Sequence, residues 1–550
     1  MEKIWLKNYP KGVPHEINPD GQESLVQILN DSCSTYSDNP AFYNLGVTLT
    51  YKQFKEYSDN FAAYLQNVLK LKKGDRLAIM MPNVLQYPII MFGSLLAGVI
   101  VVNVNPLYTT PELVHQLNDA ECHTIVVISN FADVVEKALP DVSLKNVIVT
   151  DIGDLFSRPK AFLINFVLKY IKKQIPTLNM SNALNFRSVL QEGSKLTYKK
   201  VIIKKDDIAF LQYTGGTTGV SKGAILTHRN LVANVLQAEA WFSPEFSLGK
   251  EIIITALPLY HIFSLTANCL FISKLGGLNV LITNPRDIPR FISEIAKFKF
   301  TVITGVNTLF AALLNNSKFA SLDFSSMKIS LGGGMPVQHI VADKWIAVTK
   351  KPLLEAYGLT ETSPCAAINP VDLKEYNGTV GYPVSSTDIR IFDDNHVELP
   401  LNTAGEIVIK GPQVMSGYWK NESETSKVFT KDGWLLTGDI GSINDQGFVS
   451  ILERKKDMIL VSGFNVYPSE IEDIITGMSG VKEAAVVGVV DNGSGEIVKA
   501  YVVRSNLELT SEDVLNFCKK SLTAYKVPKC VEFRDDLPKT NVGKILRRAL

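Results

Sequence analysis

The chain has 550 residues, which is too long for one compact core and predicts about two to four domains. Its composition, 46% hydrophobic and 20% charged, excludes a disordered protein. The formal charge of +1 excludes nucleic-acid binding through bulk electrostatics, so no nucleic-acid partner is expected. The cysteines form no C-x-x-C pair, which predicts a reduced, cytoplasmic protein without a cysteine metal site. They are Cys33, Cys122, Cys269, Cys365, Cys518 and Cys530.

The first strongly apolar segment is "YPIIMFGSLLAGVIVVNVN", residues 87–105. About 15 apolar or small residues are too few for a membrane-spanning helix, which needs roughly 20. We therefore predict a buried helix that runs into a buried strand, and no integral membrane protein. The residues before it, 1–20, lack the apolar core of a signal peptide.

Short β-branched runs alternate with helix-length segments between Asp75 and Leu354. This alternation predicts βαβ units, with largely parallel sheets covered by helices. The runs are "RLAIMMPN", "HTIVVIS", "NVIVT", "EIIITALP", "LNVLITN" and "FTVITG", and two of the helical segments are "DIPRFISEIAKFK" and "PVQHIVADKWIAVTK". The predicted class is α/β, with a large N-terminal domain of stacked sheets.

After Gly378 the strands become short and are broken by Gly, Pro and Asn-Asp turns. This pattern of short, interrupted strands predicts a small antiparallel β-subdomain at about 378–453, with a hairpin at "NDQG". Mixed strands and a helix at Ser511–Ser521 follow, which predicts a small α+β C-terminal domain. We place the domains at 1–453 and 454–550, with the joint at 453–458 in "ERKKDM".

The segment "YTGGTTGVSKG", residues 213–223, follows the apolar run "IAFLQ". Glycines let the backbone turn its N–H groups toward an anion, threonine hydroxyls add donors, and Lys222 supplies charge. These features suit a nucleotide triphosphate tail, although such a loop can also simply turn the chain. It is not the common P-loop, because Gly223 stands where that motif requires Ser or Thr.

This loop resembles the signature of the adenylate-forming superfamily, which includes acyl-CoA synthetases, luciferases and adenylation domains. Its double glycine resembles the bacterial long-chain fatty acid–CoA ligases in particular, and the resemblance runs from about residue 20 to the last residue. It implies that the loop holds the ATP phosphates and that Thr218 also contacts Mg²⁺. The implied loop residues are Thr214, Gly215, Gly216, Thr217, Thr218, Gly219 and Lys222.

A second string, "YGLTETSP", resembles the next family motif. The resemblance implies that Tyr357 stacks on adenine, that Gly358 belongs to the same ATP/AMP site, that Thr360 binds the α-phosphate and that Glu361 helps hold Mg²⁺. A carboxylate beside a phosphate needs a cation between them, which agrees with the last role. Taken alone, the same letters could be a helix N-cap.

Four further strings occur in the family order: "LPLYHIFSL", "GGGMP", "GWLLTGD" and "ERKKDM". Asp439 is implied to bind the ribose, and Arg454 to contact both ribose and phosphate. Gly333 is implied to form part of the wall against which adenine packs. His261 and Gly334 are implied to line the acyl and CoA tunnels, as is Gly463 in "VSGFNVYP". Lys456 is implied to be the hinge. As isolated residues, these would be read as turn positions, solvated charges or a core histidine.

The C-terminal string "LPKTNVGKILRR" contains Lys544, which matches the catalytic lysine of the family. A flexible cation there can stabilise charge building up between a carboxylate and the α-phosphate. The implied reaction is ATP-dependent conversion of a long-chain fatty acid to its acyl-CoA through an acyl-adenylate, with Mg²⁺ and coenzyme A. The alternatives are a ligase for medium-chain or aryl acids and a non-catalytic peripheral lipid-binding protein.

The segment "RPKAFLINFVLKYIKKQIP", residues 158–176, has one more feature. As a helix it would carry its basic residues on one face and Phe162, Ile164, Phe166 and Val167 largely on the other. This pattern favours peripheral contact with the inner leaflet of the cytoplasmic membrane, although a helix packed on the core would look similar. A homodimer is left open.

Overall fold

The computed structural model describes residues 2–21, 24–214, 221–461, 464–491, 495–540 and 543–550. In the first half of the chain the strands are β1 Pro40–Asn44, β2 Val47–Thr50, β3 Arg76–Met80, β4 Ile100–Val104, β5 Thr124–Ile128, β6 Asn146–Thr150, β7 Leu184–Asn185, β8 Ile208–Thr214, β9 Lys222–Thr227, β10 Ile252–Thr255 and β11 Leu278–Leu281. They are followed by β12 Val302–Gly305, β13 Ile329–Gly333, β14 Leu353–Gly358, β15 Cys365–Ile368, β16 Tyr382–Pro383, β17 Asp388–Phe392, β18 Gly405–Lys410, β19 Leu435–Ile443, β20 Val449–Arg454, β21 Ile459–Val461, β22 Phe464–Val466, β23 Val481–Asp491, β24 Gly495–Arg504 and β25 Cys530–Arg534.

The α-helices alternate with these strands over most of the chain. They are α1 Leu25–Thr35, α2 Tyr51–Asn67, α3 Gln86–Leu96, α4 Thr110–Asp119, α5 Ala132–Ala138, α6 Arg158–Phe166, α7 Phe186–Gly193, α8 His228–Phe242, α9 Phe271–Lys274, α10 Ile288–Ile295, α11 Asn307–Leu314, α12 Ser317–Ala320, α13 His339–Thr349, α14 Glu422–Val428, α15 Pro468–Thr476 and α16 Ser511–Ser521. Two π-helical turns, Val167–Ile171 and Ser264–Leu270, adjoin α6 and α9.

Two large sheets form the N-terminal region and confirm the predicted α/β class. One has the order β16-β15-β14-β13-β12-β10-β11-β1-β2 and is parallel from β14 to β1. The other has the order β7-β6-β5-β3-β4-β8-β9 and is parallel except for its last pair. Their central strands are buried along their length, as strands covered on both faces must be.

The segment at residues 87–105 forms the predicted helix and strand. Every residue of α3 is buried, and β4 is buried throughout, which explains why the segment is apolar without crossing a membrane. Among the described residues, no helix has both the length and the apolar character to cross a bilayer.

The remaining strands form two smaller sheets. Strands β17-β18-β19-β20 form an antiparallel sheet, and β19 and β20 are joined by the predicted "NDQG" turn, in which Gly447 donates to the Asn444 carbonyl at 2.8 Å. Strands β22-β21-β24-β23, with β25 beside β24, form the C-terminal sheet under α15 and α16. An exposed turn that includes Lys456 separates β20 from β21.

One strand was not anticipated from the sequence. The glycine-threonine segment precedes α8, which begins at His228. Between them, however, β9 pairs antiparallel with β8, Thr214 lying opposite Lys222. The loop therefore joins two strands of a hairpin rather than a strand and a helix.

Candidate active site

A cavity of about 2080 Å³ lies at the carboxyl ends of β13 and β14, between the large sheets, the four-stranded sheet and the C-terminal region. Each predicted site residue that the structure describes lines this cavity. They are Thr214, Lys222, His261, Gly333, Gly334, Tyr357, Gly358, Thr360, Glu361, Asp439, Arg454, Lys456 and Lys544. The predicted residues Gly215, Gly216, Thr217, Thr218, Gly219 and Gly463 lie outside the described residues.

Asp439 is held between an aromatic and a cationic partner. The Tyr357 hydroxyl donates to Asp439 Oδ2 at 2.7 Å, and Arg454 Nε lies 3.2 Å from Oδ1. The two charged residues are register partners on β19 and β20, which fixes their spacing. Burial raises the pKa of Asp439, and Arg454 partly opposes that rise. The carboxylate keeps further lone pairs for a diol such as a ribose.

Lys544 enters the site from a tight turn near the end of the chain. The Thr540 amide donates to the Lys544 carbonyl at 2.6 Å, and Thr308 Oγ1, on α11, donates to the Gly543 carbonyl at 3.2 Å. A Cβ added at Gly334, where φ is +79°, would meet Lys544 Cε at 3.5 Å. Burial, reinforced by repulsion from Arg454, lowers the pKa of Lys544 to about 8. The lysine is thus placed where it can respond to added negative charge.

Glu361 and Lys222 face each other across Tyr418. The Tyr418 hydroxyl donates to Glu361 Oε1 at 2.7 Å, and Lys222 Nζ lies 5.0 Å from the centre of the Tyr418 ring. Lys222 also forms an ion pair with Glu424 on α14. Sequence reasoning missed Tyr418 and Glu424, because their segment joins the site only by pairing with β9, Trp419 donating to the Gly223 carbonyl at 2.8 Å.

Glu355 is a further polar residue that sequence reasoning missed. It lies two residues before Tyr357 on β14 and therefore shares its face of the sheet. Its side chain is buried, accepts a hydrogen bond from the Val337 amide at 2.9 Å and lines the cavity. Burial raises the pKa of Glu355 to about 8. An isolated carboxylate in the apolar string "LLEAYG" was the available signal.

His261 lines the cavity as a neutral ring. Burial, with repulsion from Lys544, lowers the pKa of His261 to about 3, and its Nδ1 accepts from the Phe263 amide at 3.3 Å. So weak a base suits the wall of a substrate passage rather than proton abstraction near neutral pH.

An apolar arm extends from the polar part of the cavity and was not traced from the sequence. It is lined by Ala238, Phe242, Phe246, Ile253, Ala267, Phe271, Ile272, Val302, Ile329, Leu331 and Ile368. These residues come from α8, α9 and several strands, so no local string reveals them. A polar, cation-containing chamber that opens into an apolar channel can bind a molecule with a charged head and a hydrocarbon tail.

Fold and site together define an α/β enzyme whose cavity has a polar, charged part and an apolar part. The chain belongs to the AMP-binding enzyme family, whose main domain matches residues 29–419 and whose C-terminal domain matches residues 470–544. This family membership confirms the resemblance seen in the sequence motifs.

Curated relatives match the chain from end to end. It is 55% identical to a long-chain-fatty-acid–CoA ligase of Escherichia coli, over 100% of this chain and 98% of the relative. It is 50% identical to the enzyme of that name from Haemophilus influenzae, with the same coverage. Among solved structures, ATP-bound MatB from Rhodopseudomonas palustris matches at 28% identity with a TM-score of 0.82, covering 97% of this chain and 98% of that one.

Proposed function

We propose that this protein activates long-chain fatty acids with ATP and transfers the acyl group to coenzyme A. The observation that carries the proposal is that one cavity is lined both by Lys544, Asp439 and Arg454 and by the apolar residues of the arm. The relatives that match over the whole chain are ligases of this type by name.

In the first half-reaction a fatty acid carboxylate oxygen attacks the α-phosphorus of ATP, and the bond to pyrophosphate breaks. Asp439 accepts hydrogen bonds from the ribose hydroxyls, and Tyr357 packs against adenine. Lys544 and Thr360 stabilise the charge that builds on the α-phosphate, since fixed charges and dipoles act strongly in a partly enclosed site. Lys222 and the loop beside it hold the remaining phosphates.

Magnesium fits this site as an ion carried in with the nucleotide. Among the described residues, no group of three or more His, Cys, Asp and Glu side chains forms a cation cage. Mg²⁺ in nucleotide sites usually has only one or two carboxylate ligands besides phosphates and water. Glu361, which lines the cavity, would be such a ligand, and Thr218 is proposed as a second. The ion would neutralise phosphate charge.

In the second half-reaction the thiol of coenzyme A attacks the acyl carbonyl and AMP leaves, while the thiol proton passes to solvent. We propose that the chain from residue 454 onward turns about Lys456 between the two steps, withdrawing Lys544. The exposed turn of Lys456, between β20 and β21, supports this proposal. Gly463 is proposed to lie on the coenzyme A path.

The test is fatty-acid-dependent exchange of pyrophosphate into ATP without coenzyme A. Exchange should be greatest with long-chain acids and fall about a hundredfold or more in Lys544→Ala, since a cation at the reacting phosphate is lost. Lys529→Ala, which changes an exposed lysine of the same region, is the matched control. Peak exchange with short or aryl acids would contradict the substrate, and exchange by no acid would support a lipid-binding protein.

We further propose that α6 and the π-helical turn after it lie against an anionic membrane surface. The expected helix is present, but large apolar residues of the helix and of the following turn do not pack on the core: Phe162 is 73% exposed, Tyr170 60% and Ile171 66%. Basic residues, among them the exposed Lys169 and Lys172, flank this surface. Exposed aromatic side chains beside lysines favour the headgroup region of a bilayer.

This contact is tested by sedimentation with vesicles of phosphatidylglycerol and of phosphatidylcholine. Binding should be stronger to the anionic vesicles, weaken with salt, and fall about tenfold in the double variant Phe162→Asp, Ile171→Asp. Leu507→Asp removes an equally exposed apolar side chain elsewhere and should leave binding unchanged. If the Phe162→Asp, Ile171→Asp variant bound the vesicles as strongly as Leu507→Asp, this surface would be ruled out as the membrane contact.

A further inference from the structure

The apolar arm of the cavity runs along the parallel strands of the nine-stranded sheet. It is lined near the polar chamber by Gly333, at the end of β13, and at its far side by Ile329, Ile253 and Val302, at or next to the starts of β13, β10 and β12. Parallel strands begin at one edge of a sheet and end at the other. The arm therefore follows β13 from its end at Gly333 back to its start at Ile329.

Phe246 lines the arm near this far edge, beside the residue that precedes β13. Its ring lies 5.5 Å from the ring of Phe242 and 6.0 Å from that of Phe271, and all three line the cavity. Phe242 and Phe271 are buried, whereas Phe246 is partly exposed. Lys328, the residue before β13, places Nζ 5.8 Å from the centre of the Phe246 ring. One side of this ring therefore meets the channel and the other side meets solvent.

The loop that carries Phe246 is tied to the sheet by a buried charge. The Ser247 amide donates to Glu251 Oε1 at 2.6 Å, and Lys328 Nζ lies 2.6 Å from the same oxygen. Glu251 is only 1% exposed, so losing either contact would leave a buried carboxylate poorly compensated. The Gly249 amide adds a bond to the Leu275 carbonyl at 2.7 Å. The ring is thus held in place by its own loop and by the start of β13.

We propose that Phe246 is the end wall of the acyl channel and sets the longest chain that the protein activates efficiently. The proposal rests on the function proposed above. Methylene groups up to the wall are removed from water and favour binding, while those beyond it must displace the ring or reach solvent. Selectivity for chain length should therefore depend on the side chain at position 246.

The experiment compares kcat/KM for saturated acids of increasing length, from hexanoate to eicosanoate, in wild type, Phe246→Ala and Phe246→Trp. Shortening the side chain should raise the eicosanoate-to-dodecanoate ratio about tenfold, and the larger indole should lower it by a similar factor, the order expected for adding or removing methylenes in an apolar pocket. Phe298→Ala is the matched control, because this half-buried phenylalanine packs on Tyr43 and does not line the cavity.

The outcomes separate this inference from the function beneath it. Opposite shifts in the two variants, with the wild-type ratio kept in Phe298→Ala, would support the end wall. Long-chain activity with an unchanged ratio in both variants, at wild-type thermal stability, would overturn the end wall alone. A wild-type protein that activates no acid would overturn both.

Discussion

Lys544 has two charged neighbours that act on it in opposite directions. Arg454 disfavours its charged form and Asp439 favours it, while burial dominates and lowers the pKa of Lys544 to about 8. A lysine with this pKa is partly neutral at the pH of a typical assay. A phosphate bound nearby favours the charged ammonium form, so the protonation of Lys544 depends on the ligand that it is proposed to stabilise.

The pH dependence of adenylation follows from this pKa. Lys544 is protonated below pH 8 and loses its charge above it, so kcat/KM for pyrophosphate exchange should fall as the pH rises through about 8. In Lys544→Arg the guanidinium stays charged, so the alkaline limb should disappear at a lower overall rate. An unchanged alkaline limb in that variant would assign the titration to another group.

Asp439 offers a second test at the residue scale. Asp439→Asn removes the charge that pairs with Arg454 and one acceptor site for the ribose, so KM for ATP should rise about ten- to a hundredfold. The measurement is initial-rate kinetics at saturating fatty acid. Asp445→Asn alters an exposed carboxylate in the hairpin turn after β19 and should leave KM unchanged. A similar KM in both variants would argue against the ribose role.

At the scale of elements, the turn that carries Lys544 is anchored by Arg547. Its guanidinium lies 2.9 Å from Glu453 Oε1, at the end of β20, and 2.8 Å from Glu472 Oε2 on α15. Glu453 Oε2 accepts from the Ser469 amide at 2.9 Å. This buried network joins the proposed hinge, α15 and the turn that carries Lys544. It therefore restricts the positions that the Lys544 side chain can take.

Removing this anchor should affect both stability and rate. Arg547→Met leaves two carboxylates without their partner, which should cost about 3 kcal/mol of unfolding free energy. It should also lower exchange at least about tenfold by misplacing Lys544. Urea unfolding and exchange assays measure the two effects, with the exposed Arg548→Met as control. Normal exchange in a destabilised Arg547→Met would mean that the network has no part in positioning the lysine.

The long periodic elements were predictable, because burial on both faces makes a parallel strand apolar along its length. The strands β3, β5, β6, β10, β11 and β12 and the helices α10, α13 and α16 all occur where the sequence predicts them. Strand β9 was missed because it comes directly after the glycine-threonine segment in the sequence and is too short to show a period of its own. The π-helical turn after α6 likewise has no sequence signal.

At the scale of the whole molecule, Lys544 lines the cavity, which agrees with its proposed role in the adenylating step. Thioester formation needs the same carbonyl to face coenzyme A instead. We therefore expect the C-terminal region to change its position relative to the large sheets during turnover, as a gating step.

This movement can be followed with a fluorophore pair between exposed Cys530 and Lys318→Cys. The transfer efficiency should differ between the ATP-bound protein and the protein with a non-reactive acyl-adenylate analogue and coenzyme A. A pair within the N-terminal region, Lys318→Cys with Asp141→Cys in a Cys530→Ser background, should not change. Constant efficiency in the first pair would rule out the proposed rotation.

The sequence by itself determined the class of fold and the candidate residues for much of the polar part of the site. The proposed phosphate, ribose and metal contacts depend on a few residue types in short strings, so "YTGGTTG", "YGLTET" and "GWLLTGD" could be recognised locally. Only the tertiary structure decided the partners of those residues and the apolar channel. Tyr418, Glu355 and Phe246 lie far apart in the chain and meet because sheet pairing and helix packing bring their elements to one cavity, which no local pattern encodes.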